Sequence, residues 1–175
     1  AVHALKDIPS KETKKLFTNC FLKRNDPREV LITRKKQKLK NLPKNSIVGT
    51  SSFRREFQLK RIRKDLIYKL IRGNVDTRIS KLKNKIYDAI ILSYAGLKSL
   101  KMENNISQVF SISEIIPSAG QGTIVLQCRK NDIRMVQLLK AINHIPTSIC
   151  VNVERDVLKV LDGDCETPVG VNAKI

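Results

Sequence analysis

The stretch from residue 47 to 78, IVGTSSFRREFQLKRIRKDLIYKLIRGNVDTR, constrains the fold of this chain more than any other. The apolar pair Ile47-Val48 stops at Gly49-Thr50-Ser51-Ser52, and a basic helical pattern begins at once. After Asp65 a second apolar run, Leu66 to Ile71, stops at Arg72-Gly73-Asn74. A second basic helical pattern follows, with Arg78 in its second turn. Short apolar runs bounded by such turn residues read as strands. Strands alternating with helices of this length imply βαβ crossovers and a largely parallel sheet.

The same geometry aims unpaired backbone N–H groups and the positive end of each helix dipole at whatever lies above the strand ends. Arg54, Arg55, Arg72 and Arg78 fall at or near those two helix starts. A guanidinium matches a carboxylate two bonds at a time, whereas lysine offers a point charge. One such arginine would be read as a solvated surface charge. Four at corresponding turns of consecutive units favour an anion site, because stability alone seldom needs such placement. The expected ligand carries several carboxylates or phosphates.

The formal net charge of +18 invites a nucleic-acid reading. Against it, the excess is mostly lysine, 22 against 12 arginines, and the chain has no tryptophan and 5% aromatic residues. Platforms for stacking bases are therefore scarce, and no specific nucleic-acid partner is expected. With 41% hydrophobic residues in 175, the chain can bury a core in one or two domains. No apolar run approaches the ~18 residues of a membrane span, and no signal-peptide pattern opens the chain, so a cytoplasmic protein without a membrane partner is expected. The sequence starts on Ala1 inside a motif and stops within an apparent strand, the pattern of a fragment. The four cysteines form no C-x-x-C pair, and His3 and His144 are isolated, so no metal site is expected.

Along the rest of the chain, Ala1 to Leu5 reads as a strand end followed by Lys6-Asp7. An acidic residue just past a strand's carboxyl end sits where ligands bind in open α/β sheets, although a turn-capping role fits the local sequence equally well. Further strands are expected over Leu16–Leu22, Val30–Thr33, Tyr87–Leu92 and Thr123–Cys128, with Arg34 to Asn45 a loop. Asp132 is placed to cap a helix whose Ile133, Val136, Leu139 and Ile142 repeat at helical spacing, a core face. A last helix, Ser148 to Val160, is expected to turn Val153, Val157 and Val160 inward. Cys20, Cys128 and Cys150 lie in apolar patterns and are expected in the core. Cys165 instead occupies the turn-forming stretch Gly163 to Pro168.

These segments carry a resemblance. GTSSFRR followed by LIRGNVDTR resembles the porphobilinogen deaminase (hydroxymethylbilane synthase) family. HALKDIP, PSAGQGTIVLQCR and LDGDCETPVG resemble three further motifs of that family, in family order and over essentially the whole chain. Ala4, Ser99, Gln127 and Asp164 depart from the residues usual at those positions. The resemblance implies an α/β fold with a periplasmic-binding-protein-like two-domain arrangement, plus the start of a third α+β domain. It places residues 1–25 and 117–142 in the first domain, 28–116 in the second and 146–175 in the third. It further implies a monomeric transferase that condenses four porphobilinogen molecules into hydroxymethylbilane. Asp7 would be the catalytic carboxylate, with Lys6 lining the site. Cys165 would hold a covalent dipyrromethane cofactor, aided by Lys6, Thr50, Ser52, Arg54 and Arg55. Arg72, Arg78 and Gln121 would meet substrate. The residue patterns alone leave open a solute-binding receptor, which would not need Asp7 or Cys165, or a basic nucleic-acid module, which should lose affinity steeply with salt.

Overall fold

The computed structural model describes residues 1–10, 13–163 and 167–175. In chain order the elements are β1 (Val2–Ala4), β2 (Leu16–Phe21), β3 (Glu29–Thr33), β4 (Ile47–Gly49), α1 (Phe53–Ile62), β5 (Ile67–Lys69), α2 (Val75–Lys83), β6 (Ala89–Ser93), α3 (Tyr94–Ser99), β7 (Gln108–Val109), β8 (Ile124–Arg129), α4 (Ile133–Ala141) and α5 (Ile145–Val160). They fall into two compact units. One is continuous, Arg28–Ile116; the other is assembled from Ala1–Pro27 and Pro117–Ile175.

In the continuous unit the strand order is β5-β4-β6-β3-β7. The two strand–turn–helix units place β4 parallel to β5 and to β6, as the crossovers require. The sheet is nevertheless mixed, which corrects the expectation of a largely parallel one: β3 runs antiparallel to both β6 and β7. The physical reason is the point of entry. Glu29 pairs with Ser93, so the chain arrives at the edge where the parallel strands end and must run against them. Val30 and Ile32 face one apolar cluster with Ile90, Leu92, Ile79 and Leu82, while Leu31 and Ile91 face the other with Leu59 and Phe110. This two-residue alternation puts α1 over one face and α2 with α3 over the other. All five residues of β3 are consequently buried, Glu29 among them.

The second unit is a three-stranded antiparallel sheet in the order β1-β8-β2. Leu5, Phe21, Val125 and Val151 form its core. Gly122 holds a left-handed φ of 83°, and a Cβ there would stand 2.6 Å from the Asn25 carbonyl oxygen, so only glycine lets these two segments approach. The Asn25 N–H donates to the Gly122 carbonyl at 2.8 Å across the same contact.

The helices of this unit depart from the expected faces. On α4 Leu139 is buried, but Ile133 and Ile142 are exposed. On α5 Val153, Val157 and Val160 point outward, Val160 at 86% exposure, and the buried face is Thr147, Ser148, Val151 and Glu154. Cys20 is buried as expected, its thiol 3.0 Å from the Leu139 carbonyl, whereas Cys128 and Cys150 are half-buried. Glu154 explains the orientation of α5. Its carboxylate, wholly buried, accepts from Arg24 Nη1 at 2.6 Å and from the backbone N–H groups of Gly120 and Ala173 at 2.7 Å each. Turning the valines inward would carry Glu154 away from Arg24 and from the Gly120 and Ala173 N–H groups, and leaving those donors unpaired costs more than three exposed valines.

Candidate anion site

In the continuous unit the turn after β4 is built by its own side chains. Thr50, buried, takes the Ser52 N–H on its Oγ1 at 3.2 Å and donates its N–H to the Lys69 carbonyl. Ser52 is the N-cap of α1 and accepts from the Arg55 N–H, and Asn74 caps α2 by accepting from the Thr77 N–H at 2.9 Å. Part of the orphan-donor set expected at these helix starts is therefore satisfied internally.

The four arginines divide. Arg54 and Arg55 are buried and turn onto Glu29, which is 0% exposed at the start of β3. Arg54 makes two short bonds: Nη2 reaches Glu29 Oε1 and Nη1 reaches the Ile116 carbonyl, both at 2.6 Å. Arg55 is held differently. Its Nη2 forms an ion pair with Glu29 Oε2 at 2.8 Å. Its Nη1 makes a long 3.3 Å bond to the Ile91 carbonyl, and its Nε is buried with no acceptor among the described residues. Arg78, half-buried, donates from Nε to the Gly73 carbonyl at 2.7 Å. Arg72 is exposed, and its carbonyl accepts from Lys81 Nζ.

The electrostatics follow from this arrangement of charges. Burial alone would raise the Glu29 carboxyl, but the charges of Arg55 and Arg54 outweigh it and hold Glu29 below its ordinary value. Burial pushes Arg54 below its ordinary value despite the opposing Glu29. Burial, then the nearby Arg55 charge, also lowers Arg78. Two guanidiniums thus share one buried carboxylate at the carboxyl edge of the parallel strands, with the charge of Arg55 also acting on Arg78. Glu29 is the residue that sequence reasoning missed; the available signal was a lone acid opening the apolar run Val30 to Thr33.

In the second unit, Lys6 and Asp7 close a single 3-10 turn after β1. Leu5 takes the buried position of that turn, and Asp7 is exposed rather than buried. Gln121 is 1% exposed, with Nε2 donating to the Pro27 carbonyl at 2.6 Å. Cys165 lies outside the described residues; just before it, the Gly163 carbonyl accepts from the buried Ser10 hydroxyl at 2.8 Å. Among the described residues, no three or more His, Cys, Asp or Glu gather as a metal site would need. Nor is any described helix long and apolar enough to cross a membrane.

A mixed α/β unit whose sequence interrupts that of a second, sheet-containing unit defines a two-unit α/β protein. A Bacillus subtilis lipoprotein named for methionine binding shares the fold at a TM-score of 0.51 and 14% identity, over 91% of this chain and 70% of that one. The chain belongs to the porphobilinogen deaminase family: the family model "porphobilinogen deaminase, dipyrromethane cofactor binding domain" matches residues 1–137. It is 45% identical over 175 residues to porphobilinogen deaminase of Coxiella burnetii, covering 100% of this chain and 56% of that protein. The enzyme of Rickettsia bellii is 43% identical, over 99% of this chain and 58% of that protein. That of Alkaliphilus metalliredigens is 42% identical over 170 residues, 97% of this chain and 54% of that protein. The chain therefore spans little more than half the length of these relatives.

Proposed function

We propose that this chain forms part of a transferase that joins four porphobilinogen molecules head to tail into hydroxymethylbilane, releasing ammonia at each condensation. The observation that carries the reading is the surplus positive charge around Glu29, which suits a product that gains an acetate and a propionate with every ring. The orphaned Arg55 Nε and the two-to-one ratio of guanidinium to carboxylate fit a dipyrromethane, itself a polycarboxylate. When bound, that group supplies the free pyrrole carbon from which a chain is extended.

In this reading Arg55, Arg72 and Arg78 bind ligand carboxylates, while Arg54, Thr50 and Ser52 hold the turn that presents them. Gln121 acts on substrate through the segment it fixes against Pro27. Loss of ammonia from the aminomethyl group of porphobilinogen leaves positive charge on the pyrrole, and the Asp7 carboxylate stabilises it, with Lys6 beside it in the same turn. Cys165 supplies the sulfur for a thioether to the cofactor, two positions beyond the Gly163 carbonyl that Ser10 holds. Residues 146–175, whose helix α5 packs into the unit of β1, β2 and β8, lead on to a third domain, and the protein works as a cytoplasmic monomer. The decisive experiment is porphobilinogen consumption by this sequence within its complete reading frame. Consumption with release of ammonia and formation of hydroxymethylbilane is expected; a folded, soluble protein that leaves porphobilinogen untouched overturns the reading.

A further inference from the structure

Arg54 and Arg55 are sequence neighbours with the same buried carboxylate, yet their bonding differs in kind. Arg54 has two short, well-aligned bonds, one to Glu29 and one to the Ile116 carbonyl. Arg55 has one ion-pair contact to Glu29 at 2.8 Å, one long bond to the Ile91 carbonyl, and a buried Nε with no acceptor among the described residues. The side-on fork of a guanidinium, Nε with one Nη, is the edge that a carboxylate grips with two parallel bonds. Glu29 touches that fork at Nη2 alone. Its other oxygen is engaged by Arg54, so it cannot turn to complete the fork without giving Arg54 up.

The surrounding charge points the same way. Two buried cations on one buried anion leave a net positive charge out of water, and Arg78 lies close enough for its charge to act on Arg55. A buried charge without its full set of partners is a costly arrangement, and the cost falls when a second anion arrives. Arg55 is the member of the cluster with bonds left to make.

We propose that Glu29 is a resident carboxylate, which a ligand's carboxylate displaces from Arg55 while Arg54 stays bound to it. Glu29 is then a positioning residue: it holds Arg55 in place before the ligand arrives and competes with the ligand for it afterwards. The proposal rests on the reading that Arg55 binds ligand carboxylates, but not on the ligand being a tetrapyrrole precursor.

The sign of one substitution separates this role from a merely structural one. If Glu29 only braced the turn, Glu29→Gln would loosen the site and weaken anion binding. If Glu29 competes for Arg55, Glu29→Gln lowers the stability of the free protein yet tightens binding of trimesate, a rigid tricarboxylate, by about fivefold or more. Calorimetric titration of the chain with trimesate and with porphobilinogen, beside denaturant unfolding, reads both quantities. Should Glu29→Gln fail to fold, NMR of the arginine side-chain Nε–H resonances in the unaltered chain tests the same exchange. The Arg55 Nε–H shifts and gains protection from exchange on addition of trimesate, and that of Arg54 stays put. Unchanged or weaker binding by folded Glu29→Gln, or an Arg54 response without an Arg55 response, overturns the proposal. Trimesate binding with the expected pattern and no response to porphobilinogen keeps the exchange and removes the tetrapyrrole reading.

Discussion

At the scale of single residues, the division between Arg54 and Arg55 has consequences that the same substitution exposes. Arg54→Lys keeps the charge but cannot reach both Glu29 and the Ile116 carbonyl, and is expected to cost about 1–3 kcal/mol of stability, read by denaturant unfolding. Arg55→Lys keeps the charge but loses the fork, so it should weaken ligand carboxylate binding more than it weakens the fold. Asp7→Asn keeps shape and exposure and removes the charge; folding should survive while porphobilinogen condensation nearly stops, as a product assay would show. For Cys165, intact mass of the protein made in cells that supply porphobilinogen should show two added pyrrole units, lost in Cys165→Ser. Acid titration tests Glu29. Its folded value lies below the ordinary 4.5, so its contribution to stability is present above that pH and drains away as pH falls through the lower folded value. Asp65, lowered to about 2 chiefly by its hydrogen bonds with Arg63, adds a second loss between 3.8 and that value. In Glu29→Gln the first part of the acid slope should disappear. The four arginines were legible as a group because their spacing from two turns is local. Their division was not, because it depends on Glu29 reaching the same edge through its pairing with Ser93, which no local pattern reports.

At the scale of elements, strands and caps were largely visible in the sequence and helix faces were not. Asp132 accepts from the Met135 N–H at 3.0 Å, as its position before a helical pattern implied. The valine stripe of α5 misled because hydrophobic spacing identifies a face without saying what lies beneath it. A single Glu154, three residues after Val151, decided which side turned in. Two substitutions on adjacent positions should therefore behave oppositely. Val153→Ser, at an exposed site, is expected to change stability by no more than about 0.5 kcal/mol. Glu154→Gln leaves Arg24 without its buried partner and should cost about 3–5 kcal/mol in the same thermal or denaturant measurement. Gly122→Ala combines a left-handed φ with a clash on Asn25, and a loss of roughly 1–3 kcal/mol or more is expected.

At the scale of the whole molecule, the positive charge is concentrated in one unit. Of the 34 lysines and arginines, 21 fall within residues 28–116, against 7 of the 16 acidic residues, so that unit carries +14 of the net +18. Composition alone showed the excess but not its location, since a total does not record where along the chain the charges fall. Weak attraction to polyanions at low salt is expected of this unit, and its loss as salt rises would mark it as screening-dependent rather than site-specific.

The division of one unit between the two ends of the chain also sets an order of events during synthesis. β1 and β2 leave the ribosome before β8, the strand that lies between them, which follows only after residues 28–116 have been made. For that interval β1 and β2 lack β8, while the intervening unit, continuous in sequence, can close its own sheet. A chain stopped at residue 116 should thus contain one finished unit and a leading segment prone to pair with its neighbours. The piece 28–116 alone should unfold cooperatively, and the piece 1–116 should aggregate more readily than either 28–116 or residues 1–175, a ranking that light scattering during refolding would establish.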